Sequence, residues 1–156
     1  MNELDTTNAI VDNNIMIHKD VAVIYGKKTT TKNTLTMPRI SSSTETKLQI
    51  KLMWLSSTLD TGVEAMCSLG GYSGNTACKV TGIAYITSRA VASPLINIVQ
   101  GSTLYSASFY VSPDYYLCME IVKTSTFSSV GGYCSCTSSD YQVNGPIEFK
   151  YSGTRY

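Results

Sequence analysis

Residues 103–124 constrain the fold of this chain more than any other stretch. They hold two runs rich in aromatic and β-branched residues, on either side of Ser112, Pro113 and Asp114. Such runs are typical of β-strands. Proline at the second position of the turn and aspartate at the third favour a type I turn. The segment therefore predicts a long antiparallel hairpin.

The second strand of this hairpin is apolar on both faces, with only Glu120 interrupting the pattern. The side chains on one face are Tyr115, Leu117, Met119 and Ile121, and those on the other are Tyr116, Cys118 and Val122. A strand of this kind needs cover on two sides. We expect the core of the domain to cover one face and a neighbouring copy of the chain to cover the other. The hairpin is thus interpreted as an assembly element first and a binding tip second.

Alternation of apolar and polar residues with a period of two continues through most of the chain after residue 46. In the first such segment, Leu48, Ile50, Leu52 and Trp54 alternate with polar residues and predict a half-buried strand. Further strands are predicted at 63–69, 77–87, 95–99, 130–137 and 147–151. No window shows the spacing of 3.6 that indicates a helix. These patterns predict an all-β fold, an antiparallel β-sandwich or jelly-roll-like domain.

Residues 1–44 differ from the rest and are predicted to form an extended N-terminal anchoring arm before a β-sandwich domain at 45–156. Two short β-like pieces lie among polar residues, and there are too few apolar side chains to offset the entropy of ordering a separate core. The candidate anchoring residues are Ile15, Ile17, Val21, Val23 and Tyr25. A flexible tail without a docking surface is the alternative.

Composition and charge exclude several classes of partner. Charged residues make up 15% of the chain, against about 25% in soluble domains, and the net charge is +1 without any basic block. Phosphate contacts to nucleic acid therefore have no electrostatic basis. The first residues lack the pattern of a signal peptide, and no apolar run approaches a membrane span. We expect a chain folded in the cytoplasm, without membrane insertion, whose five cysteines are mostly buried free thiols.

Motifs that carry chemistry are incomplete in this sequence. A Gly-Lys-Lys-Thr run resembles the end of a phosphate-binding loop, but Val21 stands where that motif needs glycine. A segment resembling a nucleophile elbow ends in Asn75 instead of glycine, and the single histidine, His18, lies in the arm. Cys134 and Cys136 lack the spacing of a zinc site. The sequence predicts no catalytic residue, no cofactor and no metal ligand.

Tyrosine is the remaining signal, because the chain has eleven tyrosines beside three phenylalanines and one tryptophan. Tyrosine suits interfaces, since its ring supplies apolar area and its hydroxyl can stay hydrated. The candidate partner or receptor surface comprises Tyr72, Asn75, Tyr110, Asp114 and Tyr115. A purely structural role for these tyrosines is equally compatible with the pattern.

Residues 47–153 resemble the terminal domains of head and tail fibres of tailed bacteriophages. The resemblance rests on an opening strand that ends in an aromatic residue, Lys-Leu-Gln-Ile-Lys-Leu-Met-Trp54-Leu, and on the later segment Asp114-Tyr115-Tyr116-Leu117-Cys118-Met119. A charge-poor composition rich in serine, threonine, glycine and tyrosine accompanies both. The resemblance implies a homotrimer that docks on capsid or tail proteins through its N-terminal arm. It also implies distal loops that contact host glycans or surface proteins.

The expected function is that of a non-enzymatic virion protein assembled in the host cytoplasm. Because the chain lacks a shaft, a short head fibre or capsid decoration protein fits its length better than a long tail fibre. A carbohydrate-binding β-sandwich module of a non-viral protein is the alternative, and it predicts a monomer with exposed coplanar aromatic rings. A glycan-cleaving enzyme would require two carboxylates in an open cleft.

Overall fold

A computed structural model of the chain describes residues 34–71, 77–138 and 146–156, together with the backbone of three short strands before residue 34. Every regular element among these residues is a β-strand. The strands are β1 (Ile10–Val11), β2 (Ile15–Ile17), β3 (Ala22–Ile24), β4 (Thr34–Ile40), β5 (Lys47–Trp54), β6 (Asp60–Gly71), β7 (Cys78–Thr87), β8 (Ala90–Gln100), β9 (Tyr105–Val111), β10 (Tyr116–Lys123), β11 (Val130–Ser138) and β12 (Glu148–Tyr151). The predicted all-β class is confirmed.

Two antiparallel sheets pack face to face and form a β-sandwich. One sheet has four strands in the order β12-β5-β10-β9, and the other has five in the order β4-β11-β6-β7-β8. The consecutive strands β4 and β5 lie in different sheets. β4 pairs with β11 and β5 pairs with β10, and β10 and β11 also follow one another in the chain. This nesting is jelly-roll-like, whereas β6, β7 and β8 form a meander within one sheet.

The core lies between the sheets, and the alternation of the sequence explains it. Successive side chains of a strand point to opposite faces, so every second residue of β6 enters the core. Three strands, β5, β10 and β6, supply many of the buried core residues. These are Leu48, Ile50, Leu52, Leu117, Met119, Ile121, Val63, Ala65, Cys67 and Leu69. The alternation that predicted these strands is therefore the alternation that builds the core.

A β-bulge near the end of β5 overturns one expectation of the sequence pattern. Leu117 pairs with Met53, but Cys118 pairs with Lys51, so that Leu52 is an extra residue in its strand. The positions whose side chains point into the core consequently shift by one residue, so that Met53 is buried. Trp54 points outward and is 47% exposed, although the sequence placed it on the same face as Leu52.

The predicted hairpin is confirmed as β9 and β10. Its turn is closed by a hydrogen bond from the backbone N–H of Tyr115 to the carbonyl oxygen of Ser112, at 2.9 Å. Tyr115 has a φ of +65°, in the left-handed region. A type I turn followed by a left-handed residue is a common three-residue hairpin loop, in which glycine usually takes the left-handed position.

The boundary between the arm and the domain lies earlier than the sequence suggested. β4, assigned to the arm, forms the edge of the five-stranded sheet, and its Met37 is buried in the core with 1% exposure. The compact sandwich unit begins at Thr31 and not near residue 45. The polar neighbours of Met37 and the Pro38 in β4 concealed this strand, although proline is tolerated in edge strands.

Residues 1–30 form a separate unit that contains a small antiparallel sheet of β1, β2 and β3. The β-like pieces predicted in this region are confirmed as β2 and β3, which contain Ile15, Ile17 and Val23. Val21 and Tyr25 lie outside the described residues. The three strands pair with one another, so this part of the arm has a sheet of its own.

Candidate functional site

Of the residues predicted to form a partner surface, the structure describes Tyr110, Asp114 and Tyr115. Tyr72 and Asn75 fall outside the described residues, but the strand ends that flank them, Gly71 and Cys78, are described. The hairpin turn lies beside Trp54, and residues 55–59 lead from there directly into the opposite end of β6. Gly71 and the hairpin turn therefore lie at opposite ends of the sandwich.

Tyr110 lies on the outer face of the four-stranded sheet and is held by two hydrogen bonds. Its hydroxyl donates to Oε1 of Gln49 at 3.0 Å and accepts from the backbone N–H of Tyr156 at 3.1 Å. The guanidinium of Arg155 lies 4.4 Å from the centre of its ring. Burial raises the pKa of Tyr110 to about 12. These contacts give Tyr110 a structural role within the chain.

Residues 152–156, which we call the strap, cover this outer face. Glu120 is only 6% exposed, and it accepts hydrogen bonds from Gln49 at 2.8 Å and from Arg155 at 3.1 Å. Gln49 also donates to the carbonyl oxygen of Ser152 at 3.0 Å. Burial alone would raise the pKa of Glu120, but the hydrogen bonds from Arg155 and Gln49 outweigh it and hold this pKa below its ordinary value.

The strap corrects the interpretation of the second strand of the hairpin. The outward residues of β10 were expected to be covered by a neighbouring copy, because they exceed what a single sandwich needs. In the structure, Cys118 and Glu120 are buried within the same chain, and Arg155 supplies a charged partner for Glu120. The chain thus covers Cys118 and Glu120 of this face itself, while Tyr116 and Val122 are half-buried.

A polar cluster lies at the end of the sandwich that carries the hairpin turn. The ammonium of Lys51 is 2.9 Å from Oδ2 of Asp114, 4.0 Å from Oε1 of Glu148 and 4.4 Å from the centre of the Tyr116 ring. Ser112 donates a hydrogen bond to the other oxygen of Asp114. The hydrogen bonds from Ser112 and then from Lys51 hold the pKa of Asp114 below its ordinary value, and the bond to Asp114 raises the pKa of Lys51. Lys51 and Asp114 are therefore both charged at neutral pH.

Exposed aromatic rings and strained backbone accompany this cluster. Trp54 stands opposite Tyr116 on the outer face, and Tyr115 is also exposed, with the guanidinium of Arg89 3.9 Å from the centre of its ring. Ser88 and Arg89, in the turn between β7 and β8, have φ values of +48° and +64°. Non-glycine residues in the left-handed region cost free energy, and they are concentrated at functional sites. We call this region the hairpin end.

The outer face of the five-stranded sheet differs, because large apolar side chains are exposed on it. Ile83 and Leu95 stand directly opposite each other in β7 and β8 and are 46% and 62% exposed. Tyr85 follows on the same face, and a groove of about 480 Å³ runs beside it. The groove is lined by Gly62, Val63, Glu64, Ile83, Ala84, Tyr85, Ser93, Thr137 and Ser138. We call the surface around Ile83, Tyr85 and Leu95 the open face.

The five cysteines are buried and free, as the sequence predicted. Cys67 and Cys134 are cross-strand neighbours in β6 and β11, and the hydrogen bond that the Cys67 thiol donates to Cys134, together with burial, raises the pKa of Cys67 well above its ordinary value. Burial raises the pKa of Cys136 to about 12. A thiol must ionise to act as a nucleophile or metal ligand, so Cys67 and Cys136 are held in the inert form.

The described residues hold neither a metal site nor a membrane-spanning helix. No group of three histidine, cysteine or acidic side chains is close enough together to hold a metal ion. No helix in the described part is long and apolar enough to cross a membrane. Comparison with protein-family models, curated proteins and solved structures finds no match for this chain.

Sequence reasoning missed both the open face and the contribution of Trp54 to the hairpin end. The signal for the open face was present, because Ile83 and Tyr85 are in phase with Lys79 and Thr81 on the solvent side of β7. Apolar residues at positions expected to be hydrated mark an uncovered face. No comparable signal existed for Trp54, because its direction depends on a bulge that only pairing with β10 reveals.

Proposed function

We propose that this chain is a non-enzymatic virion protein, a homotrimeric bacteriophage head fibre or capsid appendage, or a short tail fibre. Its N-terminal segment docks on capsid or tail proteins, and its sandwich domain associates with two further copies through the open face. One observation carries this proposal. The chain covers one outer face of the sandwich with its own strap, and it exposes the aliphatic pair Ile83 and Leu95 on the other.

The energetics of the open face support association with a protein surface. Removing a large aliphatic side chain from water contributes about 1.5–3 kcal/mol. In a trimer with a threefold axis, each of the three copies would bury its own Ile83 and Leu95. Glu64 and Lys79 lie on the same face and carry opposite charges, so that a neighbouring copy can offer the complement of each. Contiguous exposed apolar side chains rimmed by polar residues are typical of such interfaces.

The organisation of the N-terminal segment supports docking. Residues 1–30 are a unit separate from the sandwich, and their short β-sheet includes the candidate anchoring residues Ile15, Ile17 and Val23. A three-stranded sheet of such short strands is marginal alone and gains stability by packing against another surface. A capsid or tail protein is the surface that we propose.

The mass of the full chain in solution tests the trimer. Sedimentation equilibrium should give about 51 kDa, three times the 17.0 kDa of one chain. Leu95→Glu should reduce this to the monomer mass without changing the far-ultraviolet circular dichroism spectrum. Ile147→Glu replaces an apolar residue of similar exposure away from the open face and should leave the trimer intact. A wild-type monomer at micromolar concentration would contradict the proposal.

The virion assignment is tested in particles. Mass spectrometry of purified virus particles from a host that expresses this chain should detect it, whereas a chain lacking residues 1–30 should fold and be absent from the particles. Equal incorporation of both chains would show that the N-terminal unit does not dock.

A carbohydrate-binding module of a non-viral protein is the second candidate, and the exposed aromatic rings of the hairpin end favour it. This class predicts a monomer, so the same mass measurement separates the two proposals.

A further inference from the structure

We infer that the hairpin end is a binding site for a neutral oligosaccharide, with Trp54 as its stacking surface and Lys51, Asp114 and Glu148 as its polar contacts. The inference deepens the proposed function and rests on it, since host attachment is the role that this site would serve. It names the class of ligand and the residues that would bind it.

Trp54 provides the flat apolar surface that a sugar ring requires. The bulge at Leu52 turns this side chain away from the core, although an indole is among the costliest side chains to leave in water. The face of an aromatic ring carries negative charge density and attracts the weakly positive C–H groups on one side of a pyranose ring. Tyr116 is the cross-strand partner of Trp54, and its ring carries the ammonium of Lys51.

The polar groups beside Trp54 match the hydroxyl groups of a sugar. The 4.0 Å between Nζ of Lys51 and Oε1 of Glu148 is too long for a hydrogen bond. A hydroxyl oxygen about 2.8 Å from both atoms fits across this gap, accepting from the ammonium and donating to the carboxylate. Asp114 is exposed and offers a second carboxylate acceptor for a neighbouring hydroxyl. Adjacent hydroxyl groups that both donate and accept are characteristic of sugars.

The cluster is held in place before any ligand binds. Asp114 is fixed by Ser112 and Lys51, and Lys51 is largely buried above the ring of Tyr116. Fixed polar groups lose little conformational entropy on binding, which favours a ligand that makes few contacts.

The chemistry of the hairpin end favours a sugar over a protein. Its exposed apolar area is aromatic and is flanked by three charged groups, whereas the open face exposes the aliphatic pair Ile83 and Leu95 beside Tyr85. Two carboxylates beside the tryptophan also disfavour an acidic sugar. A neutral oligosaccharide is therefore the ligand that we assign, with a dissociation constant in the millimolar range typical of a small ligand on an open surface.

The single tryptophan of the chain makes the site directly observable, because Trp54 is the source of all tryptophan emission. The full-length protein is titrated with neutral oligosaccharides of glucose, galactose, mannose, rhamnose and N-acetylglucosamine, and with sialyllactose as an acidic probe. We expect a saturable blue shift or quenching with at least one neutral sugar. Glu148→Gln and Asp114→Asn keep the tryptophan and should each weaken binding about tenfold.

Arg39→Gln is the control, because it removes an exposed charged side chain from β4, the edge strand of the other sheet, and its affinity should stay within about twofold of the wild type. An equal loss in this control, or binding of sialyllactose alone, would overturn the assignment. An unchanged emission with every neutral sugar, in a protein that sediments as a trimer, would overturn the site and leave the proposed function standing. Saturable sugar binding by a monomer would support the site and contradict the trimeric function.

Discussion

Replacing Arg155 with methionine should destabilise the sandwich by removing the charged partner of a buried carboxylate. Arg155 donates to Glu120 at 3.1 Å, and Gln49 is the other donor to the same side chain. Methionine keeps much of the apolar stem of arginine, so packing against the ring of Tyr110 is partly retained. The change therefore tests mainly the ion pair.

The geometry of the pair sets the size of the effect. Breaking a fully buried ion pair costs about 3–5 kcal/mol, and an exposed pair contributes about 0–1 kcal/mol. The side chain of Glu120 is buried at 8% exposure, but that of Arg155 is half exposed and screened by water. We therefore expect Arg155→Met to lower the free energy of unfolding by about 2 kcal/mol at pH 7.

The pH dependence follows from the pKa of Glu120, which lies below its ordinary value in the folded chain. A depressed pKa stabilises the fold above the pKa of the unfolded chain, about 4.3, and this stabilisation is lost as the pH falls through the folded pKa. Without Arg155, burial should raise the pKa of Glu120, so the variant should already lose stability above this range. The difference between the two proteins should be largest at neutral pH and should shrink as the pH falls through the folded pKa of Glu120.

Urea unfolding, followed by tryptophan emission at matched protein concentrations, measures the free energy of unfolding of each protein. The wild type, Arg155→Met, Glu120→Gln and the double variant form a double-mutant cycle. We expect a coupling energy of about 1–2 kcal/mol at pH 7 that declines as the pH falls through the folded pKa of Glu120. A coupling energy near zero at pH 7 would refute the reasoning, because it would mean that the strap does not stabilise the buried carboxylate.

Three further perturbations test the fold. Deleting residues 1–30 should leave the urea midpoint of the sandwich unchanged, whereas deleting residues 1–40 removes β4 with its buried Met37 and should cost more than about 3 kcal/mol. A Cβ atom at Gly132 would lie 2.0 Å from a backbone oxygen of β6, so Gly132→Ala should lower the melting temperature sharply, while Gly70→Ala, with open space around it, should not. None of the five buried cysteines should react with a thiol reagent in the native protein at pH 8, and all should react in urea; fast native labelling would contradict their burial.

The fold class was predictable because its signals are local. The alternation around Leu48 and Ile50 reports which face of a strand is buried, and Ser112, Pro113 and Asp114 specify a turn through their own backbone preferences. Each of these signals acts within a few residues of chain. The hairpin and the sandwich could therefore be predicted without knowledge of which strands pair.

Features that depend on distant contacts were not predictable. β4 is a strand because β11 pairs with it, and its Pro38 suggested a break. The cover over Glu120 comes from Arg155, 35 residues further along the chain. Trp54 faces outward because of a bulge in the register with β10. The candidate site was consequently predicted only in part, since Asp114 was identified and Trp54, Lys51 and Glu148 were not.

The central claim is that the open face is buried between copies of the chain. The labelling rate of a thiol placed on the open face tests this claim most directly. Because all five native cysteines are buried, Leu95→Cys introduces a reporter against a silent background. Thr58→Cys, on an exposed turn of the same domain, is the matched reference. We predict that the thiol at position 95 reacts at least tenfold more slowly than the thiol at position 58, and that dilution to the monomer abolishes the difference. Equal rates at concentrations where the wild-type protein is fully assembled would contradict the account.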